Sequence, residues 1–328
     1  MVFRAAQGST LSSATWSCPV SPRHGRPEKD HCLYGLTVLV ALVLTAFAAA
    51  AQGKDPKVPP GRDPGGVAVA LLSPGIDYTV PEIAGRLARD GEGEIIAWDF
   101  IDNDNRPFDV TGWQTPANRG GEAADVMAHL ANAAAHSGVR IVSVRVDPAD
   151  PATLARAVAF VARTPARVVA VPMWSDRAED WELFRQAASH FTELLFVVAA
   201  GDGGRDIDRE PVWPAAFKLP NVLVVTSATR RVDGAGGTRV FANRGAATVD
   251  VAISVRERPR SATPVERPGS GYAVAEAACY AACLTRSWAR AGGAALKQKV
   301  LASGRPADVS MATSHDLTGT VCTAGNKF

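Results

Sequence analysis

The chain has 328 residues, 47% hydrophobic and 21% charged, with a formal net charge of +2. That much apolar material supplies a sizeable core and excludes a wholly disordered chain. A charge this close to neutral excludes the phosphate backbone of nucleic acid as the main partner.

The first fifty residues differ from the rest. Residues 1–32 carry Arg4, Arg23, Arg26 and Lys29 among Ser and Pro, without apolar periodicity, and 33–51 form the uncharged run "LYGLTVLVALVLTAFAAAA". A basic flank, an apolar stretch and an A-x-A ending make a secretory signal cleaved near Ala51. The run is also nearly long enough to span a bilayer, so retention as an amino-terminal membrane anchor stays open. Either reading puts the domain in the periplasm or outside the cell. Taking four basic and two acidic leader residues from totals of 35 and 33 leaves 31 of each, a neutral mature chain.

Residues 52–66, "QGKDPKVPPGRDPGG", have the Pro/Gly-rich composition of a linker. Strand-length runs of Val, Ile, Leu and Ala then follow at 67–72, 94–100, 139–146, 167–171, 194–200, 222–227 and 248–253. Such near-continuous runs predict strands buried on both faces. Helical spacing appears between them at 81–89, 121–137, 152–163 and 178–190, and again at 271–290 and 294–303. Alternation of this kind predicts one α/β domain over 67–304, a parallel sheet covered by helices. Residues 305–328 show no period and read as a tail.

Past the leader only Cys279, Cys283 and Cys322 remain. Cys279 and Cys283 lie four apart on one helix face, which does not by itself give disulfide geometry. They read as small buried side chains; a Cys322 bridge to one of them is the alternative.

Ordered landmarks then resemble the subtilisin-like serine peptidases, or subtilases. "VAVALLSPGIDYTVPEI" (67–83) and "IIAWDFIDNDNRPFD" (95–109) resemble the family's first two core segments, and "SGVRIVSVRV" (137–146) the strand after its histidine helix. "LLFVVAAGDGG" (194–204) resembles the strand leading to the oxyanion loop. "PVWPAAFKLPNVLVVTSATR" (211–230) and "VFANRGAATVDVA" (240–252) are the most specific stretches, and "GSGYAVAEAACYAACL" (269–284) falls at the nucleophile turn and its long helix. The resemblance implies a three-layer fold with a mostly parallel sheet.

It also implies where chemistry should sit. In the family, a serine attacks the amide carbonyl, a histidine takes its proton, an aspartate orients the histidine, and an asparagine helps hold the oxyanion. The corresponding positions here are Gly271, Gly120, Ser73 and Asp202. The resemblance therefore implies a catalytically inactive relative that binds a protein or peptide partner; the alternative is an active serine endopeptidase with relocated residues. Ser270, one position early, and His129, His136, His190 and His315 supply no evident triad. Where the family has S-x-G beside the substrate, this chain has Pro172, Met173 and Trp174, which predicts an altered cleft. Asp99, Asp102 and Asp104 in "WDFIDNDN" are candidate calcium ligands; no other cofactor is expected.

Overall fold

The computed structural model describes residues 55–109, 123, 127, 138–230, 236–238, 242–254, 269–306 and 315–316. The chain divides into two units, Met1–Gly53 and Lys54–Phe328, and every described residue belongs to the second. The expected leader, Gly120, His129, His136 and Cys322 lie outside the described residues. Among the described residues no helix is long and apolar enough to cross a membrane.

The apolar runs form the strands β1 (Val67–Ser73), β2 (Trp98–Asp99), β3 (Val139–Arg145), β4 (Val168–Val171), β5 (Leu195–Ala199), β6 (Val222–Arg230), β7 (Gly236–Thr238) and β8 (Val251–Ser254). Seven of them lie parallel in the order β2-β3-β1-β4-β5-β6-β8, and β7 pairs antiparallel with the end of β6. From β1 the chain builds outward first on the β3 side and then on the β4 side. A reversal of this kind opens a crevice at the carboxyl ends of the strands next to β1.

Side-chain alternation divides the core into two layers. Val69 and Leu71 of β1 face a cluster containing α4 (Ser270–Thr285) and α5 (Gly293–Ser303). Ala68, Ala70 and Leu72 face the other cluster, with α2 (Pro151–Val161) and α3 (Glu182–His190). Local chemistry sets the helix ends: Asp150 accepts a bond from the Ala152 N–H at 3.0 Å ahead of Pro151, a residue suited to the first helical turn. Helix α4 is the central one. All its residues except Glu276 and Cys283 are buried, and its many alanines let it lie close on the sheet. Ala123 and Met127 are helical and buried in the same layer.

Four expectations need correction. The helix expected over 81–89 is only α1 (Pro81–Ala84), because Arg86 and Ala88 exchange main-chain bonds with Ile141 on β3 instead of continuing the turn. Pairing likewise reduces the 94–100 strand to β2. The supposed linker is not loose over 55–66. The Tyr78 hydroxyl donates to the Pro56 carbonyl and Arg89 to that of Pro59, both at 2.7 Å, while Asp63 accepts from the Arg89 N–H at 2.8 Å and from Arg140. Pro/Gly composition reports a lack of helix and strand, not a lack of tertiary bonds. Finally, the tail contributes two short strands, β9 (Arg305–Pro306) and β10 (His315–Asp316), and β10 extends the sheet beside β8. Two-residue strands carry no periodic signal.

Candidate functional site

Ser73, Asp202 and Gly271 all lie at the carboxyl edge of the sheet. Ser73 ends β1 and is fully buried, its hydroxyl bonding locally to the carbonyl and N–H of Gly75 at 3.3 Å. Asp202 follows β5 and is 8% exposed. Gly271 is the second residue of α4, directly after Ser270.

The central contact of the site joins two of these segments. Asp202 Oδ1 accepts a hydrogen bond from the Ser270 N–H at 2.7 Å, within buried surroundings. No side chain of the preceding residue, Gly269, can cap α4, so this distant carboxylate meets one of the unpaired N–H groups of its first turn. A negative charge there is favoured by the helix dipole. The Ser270 hydroxyl is buried and makes no hydrogen bond.

The loop carrying Asp202 is clamped by Asn243, a residue that the sequence reading did not single out. Its amide Nδ2 donates to the Ala200 carbonyl at 2.7 Å and its Oδ1 accepts from the Arg205 N–H at 2.9 Å. Its own N–H donates to Gly201, and its carbonyl accepts from Thr226 Oγ1 at 2.6 Å. The only available signal was its place in "VFANRGAATVDVA".

Trp174, in the segment after β4, packs against the Asp202 loop. Gly201 has φ +91°, and a Cβ there would stand 2.6 Å from Asn243 Nδ2 and 3.1 Å from the Trp174 ring. The indole thus rests on the glycine of the Asp202 loop. The Arg205 guanidinium lies 5.3 Å from the ring centroid, and Arg205 pairs with Asp176 at 2.6 Å. Trp174, Arg205 and Asp176 therefore bridge the segments that follow β4 and β5. Pro172 and Met173 are buried, and Ser175 exchanges main-chain bonds with Trp213 at 2.9 and 3.0 Å.

The candidate calcium ligands surround an arginine. Arg145 Nη1 donates to Asp99 at 2.8 Å and Asp102 at 2.7 Å, with Asp55 at 3.8 Å, and its Nε donates to the Pro74 carbonyl. Asp55, not Asp104, completes the acidic group; the Asp104 side chain accepts from the Arg106 N–H. Oxygens of Asp55, Asp99 and Asp102 lie within 4.8 Å of one another, close enough to share a cation. The cation among them is the guanidinium. Asp99 spends its other oxygen on the N–H groups of Ile101 and Asp102, so the donor set suits Arg145 better than a ring of oxygens around calcium. Burial, with the neighbouring carboxylates adding to it and Arg145 opposing, raises the Asp55 carboxyl above its ordinary value.

The histidines and cysteines complete the picture. Helix α3 runs back from the carboxyl edge, so His190 at its end lies at the opposite edge from Asp202 and Gly271. His315 is in β10. Burial, with Glu276 adding to it, pushes the Cys279 thiol up to about 12, leaving it without reactive thiolate at neutral pH. Cys279 is free and buried, as expected, whereas Cys283 is disulfide-bonded to a partner outside the described residues.

The architecture is that of the subtilisin-like serine peptidase fold. No protein-family model and no curated protein matches the chain. Among solved structures, a cold-adapted subtilisin-like serine proteinase superposes with TM-score 0.56 at 19% identity, over 81% of this chain and 92% of that one. The subtilase cytotoxin SubAB superposes with TM-score 0.58 at 19% identity, over 78% and 88%. The A-subunit of the AB5 toxin from E. coli gives 0.57 at 18%, over 77% and 89%.

Proposed function

We propose that the protein is an exported subtilisin-fold pseudopeptidase that binds a protein or peptide segment without cleaving it. The observation carrying this reading is the bond from the Ser270 N–H to Asp202. Acyl transfer on this fold needs donors aimed at a developing oxyanion. Here a carboxyl oxygen that accepts a hydrogen bond occupies the start of α4, where an oxyanion would need a donor. Glycine at 271 has no nucleophile, and Ser73 cannot stabilise an imidazolium by charge. The bridge of Trp174, Arg205 and Asp176 also supports a changed mode of binding in the adjacent groove.

In subtilisin, removing the serine or histidine alone lowers turnover roughly a millionfold, because the triad acts as a unit. That magnitude is subtilisin's, and it explains why one restored residue should not suffice. The test is fluorophosphonate labelling of the folded chain beside a heat-denatured control, repeated on Gly271→Ser. Neither protein should label a serine, and Gly271→Ser should cleave no peptide. Specific labelling of Ser73 or Ser270 in the folded chain would instead establish an active serine endopeptidase with relocated residues.

A further inference from the structure

The amino-terminal edge of the sheet presents a different chemistry, independent of the Asp202 site. Helix α4 leads back from Ser270 to this edge, a run of roughly 24 Å at 1.5 Å per residue. The turn to α5 exposes five consecutive residues, Arg286, Ser287, Trp288, Ala289 and Arg290. Trp288 is 41% exposed, one of three large hydrophobic side chains so exposed among the described residues. Lys299 from α5 places its Nζ 4.0 Å from the Trp288 ring centroid.

The turn is held by another cation. Arg167 donates to the carbonyls of Ala289 at 3.2 Å and Ala291 at 2.9 Å, and to that of Glu193 at 3.3 Å. The Trp288 N–H donates to the Leu284 carbonyl at 3.1 Å, which continues the last turn of α4. Lys299 thus lies over the presented indole, Arg286 and Arg290 are exposed in the same turn, and Arg167 binds the main chain of that turn, with Glu193 an exposed acid next to Arg167. Lys297 contributes nothing further, being paired with Asp250 at 2.8 Å.

We infer that this pole docks on an anionic phospholipid surface. An indole is favoured at the headgroup boundary, where its apolar body and polar N–H meet matching surroundings. Flanking Lys and Arg side chains lay their stems along the apolar layer and keep their charges at the phosphates. The complementarity is with a negative surface, and the indole distinguishes it from purely electrostatic attraction. Docking here leaves the Asp202 and Ser270 end of α4 directed away from the bilayer.

The experiment is co-sedimentation of the full chain with vesicles of 30% phosphatidylglycerol in phosphatidylcholine, compared with pure phosphatidylcholine. The apolar segment 33–51 adds partitioning to both, so the ratio of the two isolates the charge-dependent part. Each contacting cation contributes about fivefold to partitioning. Arg290→Glu should therefore lower the ratio at least about fivefold, and Arg290→Glu with Lys299→Glu further still. Arg177→Glu, at the opposite edge, should leave the ratio unchanged, and Trp288→Ala should weaken binding to the anionic vesicles. Far-UV circular dichroism confirms that each variant is folded. Wild-type protein with no preference for phosphatidylglycerol overturns the inference, as does a preference that Arg290→Glu and Arg177→Glu reduce equally. So does binding to soluble polyglutamate that survives while vesicle binding is absent.

Discussion

Replacing Asp202 by alanine tests whether its carboxylate has become a structural cap. The substitution removes the 2.7 Å bond to the Ser270 N–H, a buried contact to a charged acceptor. Bonds of that type contribute about 1.5–3 kcal/mol, and a charge at a partly buried helix start up to about 2 kcal/mol, two overlapping descriptions of one interaction. Returning the 8% exposed carboxylate's burial cost offsets part of the loss. A net destabilisation of about 2 kcal/mol is expected, or roughly 4–8 °C in Tm for a domain of this size. Asp202→Asn keeps an acceptor for the N–H and loses only the charge, so it should cost about half as much. Thermal unfolding followed by tryptophan fluorescence ranks the three proteins. A Tm for Asp202→Ala equal to or above wild type would refute the capping argument, and equal losses for alanine and asparagine would remove the charge from it.

Gly201→Ala should cost about 3 kcal/mol, combining a positive φ with overpacking against Asn243 and Trp174. Adding Trp174→Ala should relieve only the ring contact, because Asn243 is fixed by its bond to Ala200; complete recovery in a melting experiment would contradict the geometry. Burial alone would raise the Asp63 carboxyl, but bonds from the Arg89 and Gly65 N–H groups and from Arg140 outweigh it and hold the group below its ordinary value. A depressed folded value stabilises the fold fully above the unfolded value of about 3.9 and loses that contribution as pH falls through the folded value. Asp63→Asn should therefore be less stable than wild type at pH 7, with the difference closing below about pH 4. A gap that stays constant between pH 7 and pH 3 would count against this assignment.

The two ends of α4 have unlike surroundings for related reasons. At its start, the buried N–H groups require an acceptor, and Asp202 arrives from 68 residues away to provide one. At its end, the chain leaves the core through Trp288 and two arginines, and the last carbonyls are met by main-chain N–H groups of the turn. A single buried helix thus runs from the Asp202 contact to the exposed turn that carries Trp288.

Periodicity revealed the central strands because burial on both faces leaves a run of Val, Ile, Leu and Ala whatever the neighbours are. It failed over 86–89, where apolar residues spaced like a helix pair with Ile141, and over 315–316, where pairing rests on the backbone alone. Ser73, Asp202 and Gly271 stand within ordered landmarks of the sequence, and the structure places all three at the carboxyl edge of the sheet. Asn243 was not, because its importance lies in four bonds to segments distant in sequence. The acidic residues of "WDFIDNDN" were visible as a group, but their arrangement around Arg145, with Asp55 in place of Asp104, was not.

The sequence by itself determined the layered α/β class, the near-neutral charge of the chain, and the identities of Ser73, Asp202 and Gly271 within their landmarks. These follow from composition and local order, which survive without coordinates. Only the tertiary structure decided what those residues do to one another: that Asp202 meets the Ser270 N–H, that Trp174 rests on Gly201, and that Arg145 stands among the carboxylates. Such contacts depend on strand register and on the return of the chain over long separations, and hydrogen bonds act only at the distances that folding creates.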